Sequence, residues 1–343
     1  MKILVIGGTN FIGPPVVRQL CAMGHEVTIF NRGQNQADLP VQVNYLKGDR
    51  QHLTKFRPEF ERLEPQVVLD MIPFTEIEAQ TLMNTFRGIA QRIVAIGSID
   101  VYRAYDVLWN RESKIVSTPL TEDSPLRQQL YPYRGMPEKP LDFADDYEKI
   151  LVERILMADR DLPSTVIRLP MVYGAGDPRH RFYAYLKRME ENRPVILLEE
   201  TLACWRGSYG YVENVAHAIA LATTKERAIG RIYHVAEPEA LSELESIRKI
   251  GELIGWKGKA LAVPKDRLPS EWEGGFNFAQ QWIIDSSRIR QELGYEEIVS
   301  ADKALQQAIA WQLSHPPTER SFWEIPYLLD YGTEDKVVED LEI

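Results

Sequence analysis

The chain has 343 residues, 44% of them apolar and 26% charged, with a formal net charge of −10. That length holds one large α/β domain or two unequal ones, and that composition buries a full core and excludes global disorder. The acidic balance argues against a non-specific nucleic-acid surface, which rests on Lys and Arg neutralising phosphates.

Lys2 to Ile6 reads as a short buried strand, followed at once by Gly7-Gly8-Thr9-Asn10-Phe11-Ile12-Gly13. Apolar residues at helical spacing (Val16, Val17, Leu20, Met23) come next. Strand, glycine turn and helix together form the element that cradles a dinucleotide pyrophosphate. Glycines let backbone N–H groups approach the phosphates, and the helix N-terminus favours negative charge. The spacing puts glycines at 7 and 13 but Asn10 in the middle position. A second strand, Val27–Phe30, ends in Asn31-Arg32-Gly33. An acid closing this strand would accept from a ribose 2′-hydroxyl, whereas an Arg nearby suits a 2′-phosphate. With the acid absent and Arg32 present, NADP is expected over NAD.

Val43–Lys47 reads as a third strand, closed by Gly48-Asp49-Arg50, where Asp49 either meets the adenine or caps the next helix. Gln66–Asp70, nearly all apolar as a parallel strand covered on both faces should be, and Arg92–Gly97 are two more strands. A helix around 75–90 lies between them, and Ser98 stands at the C-terminal end of the latter strand, where such sheets bind ligands. From Arg103 to Phe143 five prolines break the pattern, and the stretch reads as a long binding loop. Helical spacing returns over Asp145–Met157, then strand over Ser164–Leu169. Beyond it come a helix at Tyr183–Glu191, a strand at Val195–Leu198, a helix at Val212–Thr223 and a strand at Arg231–Val235. Mixed pieces follow, with helices at Glu243–Ile254 and Ala301–Ser314.

The pattern is an α/β fold: a doubly wound parallel sheet of Rossmann type with a smaller C-terminal α/β substrate lobe. The expected division is a dinucleotide-binding domain over 1–175, to which 205–235 returns, and a lobe built from 176–204 and 236–343. Cys21 and Cys204 are too few for a disulfide framework and suit a reducing compartment. No apolar run approaches the ~18 residues that span a bilayer, and the N-terminus reads as a core strand rather than a leader. The expectation is a cytoplasmic protein with no membrane partner and no bound metal.

Several segments together resemble the extended short-chain dehydrogenase/reductase superfamily, the fold of nucleotide-sugar epimerases and dehydratases. Gly7–Gly13 is similar to its GGxGFIG turn, Gly48-Asp49 to its adenine-binding GD, and Ser98–Tyr102 to its SxxVY. Arg168–Gly174 resembles its RxxNVYGP segment and Tyr211–Val215 its YVEDV. The resemblance implies a nicotinamide cofactor held by Gly7, Thr9, Asn10, Phe11, Ile12, Gly13, Asn31, Arg32, Asp49 and Lys149. The GGTxFIG turn and the NRG after the second strand also resemble an atypical subgroup that includes the chloroplast stem-loop-binding proteins, some of which act on or bind RNA.

The departure is in the catalytic helix. The family places Tyr and Lys four apart, with Glu four beyond the Lys; Lys149 and Glu153 match, which puts Asp145 at the Tyr position. Two residues along a helix turn a side chain by about 200°, so Tyr147 is expected to face away from Lys149. The resemblance implies that Ser98 orients the substrate oxygen and that Lys149 holds the ribose. Asp145 is either a general base or one half of an ion pair with Lys149. A tyrosine supplied from elsewhere (Tyr102, Tyr131, Tyr133 or Tyr173) is the other route.

Tyr102, Tyr133, Arg179 and Arg206 are the candidate substrate contacts, with Arg181 beside them; arginine forks suit phosphate oxygens. The leading expectation is an NAD(P)-dependent epimerase/dehydratase-like oxidoreductase acting on a sugar or nucleotide-linked alcohol. Alternatives are a catalytically silent NAD(P)-binding sensor or scaffold, and an RNA-binding protein like the chloroplast relatives. The resemblance also implies a homodimer through a helical arrangement that includes the Lys149 helix.

Overall fold

The computed structural model describes residues 1–35, 37–136, 145–272, 275–317 and 329–341. The eleven strands among them are β1 (Lys2–Ile6), β2 (Glu26–Asn31), β3 (Asn44–Lys47), β4 (Val67–Asp70), β5 (Arg92–Ser98), β6 (Ser164–Leu169), β7 (Met171–Tyr173), β8 (Val195–Glu199), β9 (Tyr209–Tyr211), β10 (Ile232–His234) and β11 (Lys259–Val263). Seven form one parallel sheet in the order β10-β6-β5-β4-β1-β2-β3. The order reverses between β1 and β4, which opens a crevice at their C-terminal ends.

β1, β4, β5 and β6 carry near-continuous runs of Val, Ile and Leu because helices cover both faces of the sheet. One cluster packs Val16, Val17 and Leu20 of helix Gly13–Ala22 against Val215 and Ile219 of helix Val212–Thr224. A second packs Phe60, Leu82 and Phe86 beneath the other face. The C-terminal lobe is built around the parallel pair β8–β11 and helix Glu243–Ile254. Ser242 and Glu245 close the start of that helix reciprocally, so two of its otherwise unpaired N–H groups are satisfied.

Two expectations are corrected. The stretch after Arg103 is not one loop: Arg103–Leu108 is a helix, buried because Ala104, Tyr105, Val107 and Leu108 all face inward. Its 137–143 portion lies outside the described residues. The helix expected from Asp145 begins only at Lys149, where Glu148 caps it by accepting from the Ile150 N–H at 2.9 Å. That shift of four residues decides the geometry of the site.

Candidate active site

The turn after β1 has a conformation only glycine adopts readily. Gly7 and Gly8 have φ of +92° and +83°, and a Cβ on Gly13 would lie 2.4 Å from the Gly8 carbonyl carbon. Asn10, in the middle position, accepts a 2.9 Å hydrogen bond from the Asn35 side chain, and its carbonyl accepts from the Gly13 N–H. It therefore ties the turn to the loop after β2. Asn31 donates to the Thr9 hydroxyl at 3.4 Å and accepts from the Gly33 N–H at 2.9 Å.

The helix from Gly13 has no side-chain cap and no acid in its first turn. Pro14 and Pro15 carry no N–H, and the Gly13 and Val16 N–H groups are already bonded to Asn10 and Ile12 carbonyls. Among the described residues the N–H groups of Gly8, Thr9, Asn10, Phe11 and Ile12 bond to no backbone carbonyl, and those of Phe11 and Ile12, next to the helix start, are among the donors this turn offers an anion. The turn thus fits a dinucleotide pyrophosphate. Gly176 packs against the Phe11 ring from the far side, which brings the lobe to the turn.

Arg32 is exposed at the end of β2, and the Lys47 side chain runs beneath Gly33 beside it. Asp49 caps the following 3₁₀ turn by accepting from the Gln51 N–H at 3.0 Å, the plainer of its two expected roles. A partner absent from the sequence reading is Arg50. Its guanidinium grips Asp70 with two bonds of 2.9 and 3.0 Å and meets Glu78 at 3.3 Å. This fork fixes the turn after β4, whose Met71 and Ile72 lie against Gly7. The available signal was an Arg directly after the GD pair and an Asp closing β4.

Ser98 ends β5, and Gly97 before it leaves room for the buried Glu153–Arg168 pair: a Cβ there would stand 3.1 Å from the Glu153 carboxylate. Because the helix starts at Lys149, Tyr147 is not on it. Tyr147 instead pairs with Thr75 as an isolated antiparallel bridge, and the expectation that helical geometry turns it away fails with the helix. Its ring is buried, its hydroxyl donates to Asp100 Oδ2 at 2.7 Å, and the Ser98 hydroxyl is a second hydrogen-bonding partner. Burial first, and the Asp100 carboxylate second, push this phenol well above its usual pKa. Tyr133 joins the cluster: its hydroxyl donates to Asp100 at 3.5 Å and accepts from Tyr105 at 2.9 Å.

Lys149 is buried, donates to the Pro73 and Ile96 carbonyls at 2.7 and 2.8 Å, and lies 4.8 Å from the centre of the Phe74 ring. Burial lowers its pKa to about 8, against the pull of Asp100 and Asp70. Asp145 lies outside this group. It sits exposed in the preceding turn, where its carboxylate accepts from the Gly135 N–H at 3.2 Å. The helical register needed for the expected pair with Lys149 does not exist.

Ser98, Asp100, Tyr133, Tyr147, Arg179 and Arg181 line one cavity of ≈ 290 Å³. Burial and the neighbouring Arg181 lower Arg179 to about 10. Arg181 donates to the Val172 carbonyl at 2.8 Å and pairs with Asp177 at 3.5 Å. Two expected substrate contacts are elsewhere. Tyr102 is wholly buried and bonded to His234 at 2.5 Å and to Arg168. Arg206 turns away to the Ala240 carbonyl and to Glu245, at 2.7 and 2.9 Å. Among the described residues no cluster of three or more His, Cys, Asp or Glu is arranged to hold a metal, and no helix is long and apolar enough to cross a membrane.

A seven-stranded parallel sheet with a glycine turn at its crevice, and Ser, Tyr and Lys gathered at the β5 end, define an extended short-chain dehydrogenase/reductase fold. Residues 141–236 match the NAD dependent epimerase/dehydratase family. The chain is similar to 2′-dehydrokanamycin reductase of Streptomyces kanamyceticus, 23% identical over 297 residues that cover 84% of this chain and 75% of that protein. It is also similar to the chloroplast stem-loop binding protein of 41 kDa b of Arabidopsis thaliana, 23% identical over 68% of this chain and 58% of the relative. Among solved structures, dTDP-glucose 4,6-dehydratase from Bacillus anthracis in complex with NAD superimposes with a TM-score of 0.67. It is 17% identical, and the match covers 92% of this chain and 97% of that one. UDP-glucose 4-epimerase from Thermotoga maritima with UDP-glucose gives 0.65 at 16% identity, covering 92% and 99%.

Proposed function

We propose that the chain is an NADP-preferring oxidoreductase that interconverts a ring alcohol and its ketone, with Tyr147 as the acid/base in place of the residue at 145. The observation that carries this reading is the meeting of the Tyr147 hydroxyl with Ser98 and Asp100 at the wall of the cavity.

The N–H groups of Phe11 and Ile12 would hold the pyrophosphate, Arg32 and Asn31 the adenosine end with its 2′-phosphate, and Lys149 the nicotinamide ribose. A bound nicotinamide supplies hydride exchange with the substrate carbon. Ser98 then orients the substrate oxygen by a hydrogen bond. Tyr147 exchanges a proton with that oxygen, a role worth ~10²–10⁴-fold in rate. The Tyr147 proton points at Asp100, so a proton taken from an alcohol at the Tyr147 oxygen can pass on to the carboxylate without a free phenolate forming. The Pro73 and Ile96 carbonyls take two of the three Lys149 ammonium donors, which leaves one that would hold the ribose. The silent-scaffold alternative drew on the missing tyrosine, and a catalytic Tyr147 would remove that support.

The test is mass identification of nucleotide released from the purified protein, followed by a screen of ring ketones for oxidation of NADPH. NADPH in the site with turnover abolished by Tyr147→Phe is the expected result. A ketone turned over equally well by Tyr147→Phe would refute the assignment.

A further inference from the structure

Resting on the proposed oxidoreductase reading, we infer that the alcohol or ketone turned over in this cavity also carries a protonated amine, which the Glu243 carboxylate receives. Glu243 opens helix Glu243–Ile254 and lines the same cavity as Ser98 and Tyr147.

One hydrogen bond holds the carboxylate: the Tyr185 hydroxyl donates to its Oε1 at 2.8 Å. Its Oε2 takes no hydrogen bond, and among the described residues no Lys, Arg or His forms an ion pair with it. An ionised carboxylate accepts about four donors, so most of its capacity is unused. Nor is Glu243 the cap of its helix. Glu245 fills that role by accepting from the Ser242 N–H at 2.7 Å. Other buried carboxylates of the chain are treated differently: Asp70 is gripped by Arg50, Glu148 by Arg127, Glu153 by Arg168 and Glu334 by Arg188. Each of these has its counter-charge within the fold. The counter-charge of Glu243 is left to whatever fills the cavity.

The surroundings favour a cation over a neutral donor. Burial raises the Glu243 pKa, so without a ligand its ionised form bears a desolvation cost that one hydroxyl only partly offsets. An ammonium relieves that cost through charge as well as hydrogen bonds, whereas a substrate hydroxyl supplies the bond alone. Trp205, Tyr185 and Tyr209 line the cavity too, and aromatic faces attract an ammonium. Glu243 lies near enough to Tyr209 to be, after burial, the main influence that keeps its phenol protonated. Arg181 is turned to the Val172 carbonyl and Asp177. Neither it nor Arg179 pairs with Glu243, so an anionic group on the same ligand is free to meet Arg179 without neutralising this carboxylate.

The experiment is a calorimetric titration of the protein, alone and with NADP⁺ added. The probes are trans-2-aminocyclohexanol, trans-1,2-cyclohexanediol and trans-2-hydroxycyclohexanecarboxylate, which put a cation, a neutral hydroxyl and an anion on one skeleton. The amine is expected to saturate and to bind about tenfold or more tighter than the diol. Glu243→Gln keeps an oxygen for the Tyr185 hydroxyl but removes the charge. It should bring the amine down to the affinity of the diol and leave the diol unchanged. Equal binding of amine and diol by the parent overturns the charge requirement. Amine binding untouched by Glu243→Gln overturns Glu243 as its site, and preference for the carboxylate probe assigns the cavity to an anion instead. No saturation by any of the three overturns the inference outright. None of these outcomes bears on Tyr147, whose Phe variant tests the oxidoreductase reading separately. Should Glu243→Gln not fold, Glu243→Asp, which draws the charge back by one methylene, should weaken the amine and spare the diol.

Discussion

The Tyr147 hydroxyl donates a 2.7 Å hydrogen bond to Asp100, although the two residues are 47 apart in sequence. Asp100 follows Ser98 by two residues at the end of β5, and Tyr147 precedes Lys149 by two at the start of its helix. The bond therefore joins the two segments that the proposed reaction needs side by side. It also holds the phenol protonated, since an ionised phenol would face a carboxylate in a buried setting.

Replacing the carboxylate tests that relationship directly. Asp100→Asn is expected to lower the Tyr147 pKa, read as the ultraviolet difference titration between otherwise identical proteins with and without Tyr147→Phe. An unchanged titration would show that Asp100 does not control the phenol.

Lys149 should cost stability at neutral pH. The unfolded chain binds its proton below 10.5 and the folded chain only below about 8. Between these values the unfolded state carries more protons, so this group's contribution to stability rises with pH across the window. Below about 8 the full cost remains, about 3 kcal/mol for a shift of this size. Lys149→Met leaves the Pro73 and Ile96 carbonyls without a donor, at about 1–3 kcal/mol each, which offsets the desolvation gain. The stability difference between the variant and the parent, by urea unfolding, is therefore expected to move in the parent's favour as pH rises from 8 to 10. A difference that does not change over this window would contradict the direction.

His234 makes a prediction of the same sign on the acid side. It is buried, donates from Nδ1 to the Asp285 carbonyl at 2.9 Å, and accepts a hydrogen bond from the Tyr102 hydroxyl at Nε2, so it is neutral when folded. Burial lowers its pKa from 6.5 to about 3. The unfolded state binds more protons in that interval, and stability is lost as pH falls through it, about 2 kcal/mol between pH 7 and pH 5. His234→Gln should flatten that part of the profile in a denaturation series. An equal slope in both proteins would mean that other groups carry it.

The proposed NADP preference rests on Arg32. Removing a guanidinium from a 2′-phosphate loses a charge-assisted bond, so Arg32→Ala should weaken NADPH about tenfold and NADH by less than twofold. Equilibrium fluorescence titration measures both, and an unmoved ratio would assign the preference elsewhere.

Most of the architecture was legible in the sequence because it follows from periodicity. Continuous apolar runs marked β1, β4, β5 and β6, and the helices Glu243–Ile254 and Ala301–Ser314 fell on the expected residues. The helix bearing Lys149 did not, since Asp145, Asp146 and Tyr147 fit a helical pattern that tertiary contacts override. Glu148 prefers to cap the helix from outside while gripping Arg127, and Tyr147 prefers the strand-like bridge to Thr75. Propensity sees neither long-range partner. Tyr102 and Arg206 misled for the same reason: each has the chemistry of a substrate contact, but what engages it, His234 and Arg168 or Glu245, lies far along the chain. Tyr133 and Arg179, by contrast, do line the cavity.

The most direct measurement compares Tyr147→Phe with Asp145→Asn for NADPH oxidation on a ring ketone turned over by the parent protein, alongside NADPH affinity. The account predicts a fall of at least a hundredfold for Tyr147→Phe with affinity intact, and less than a twofold change for Asp145→Asn. Full activity in Tyr147→Phe together with loss in Asp145→Asn would contradict it.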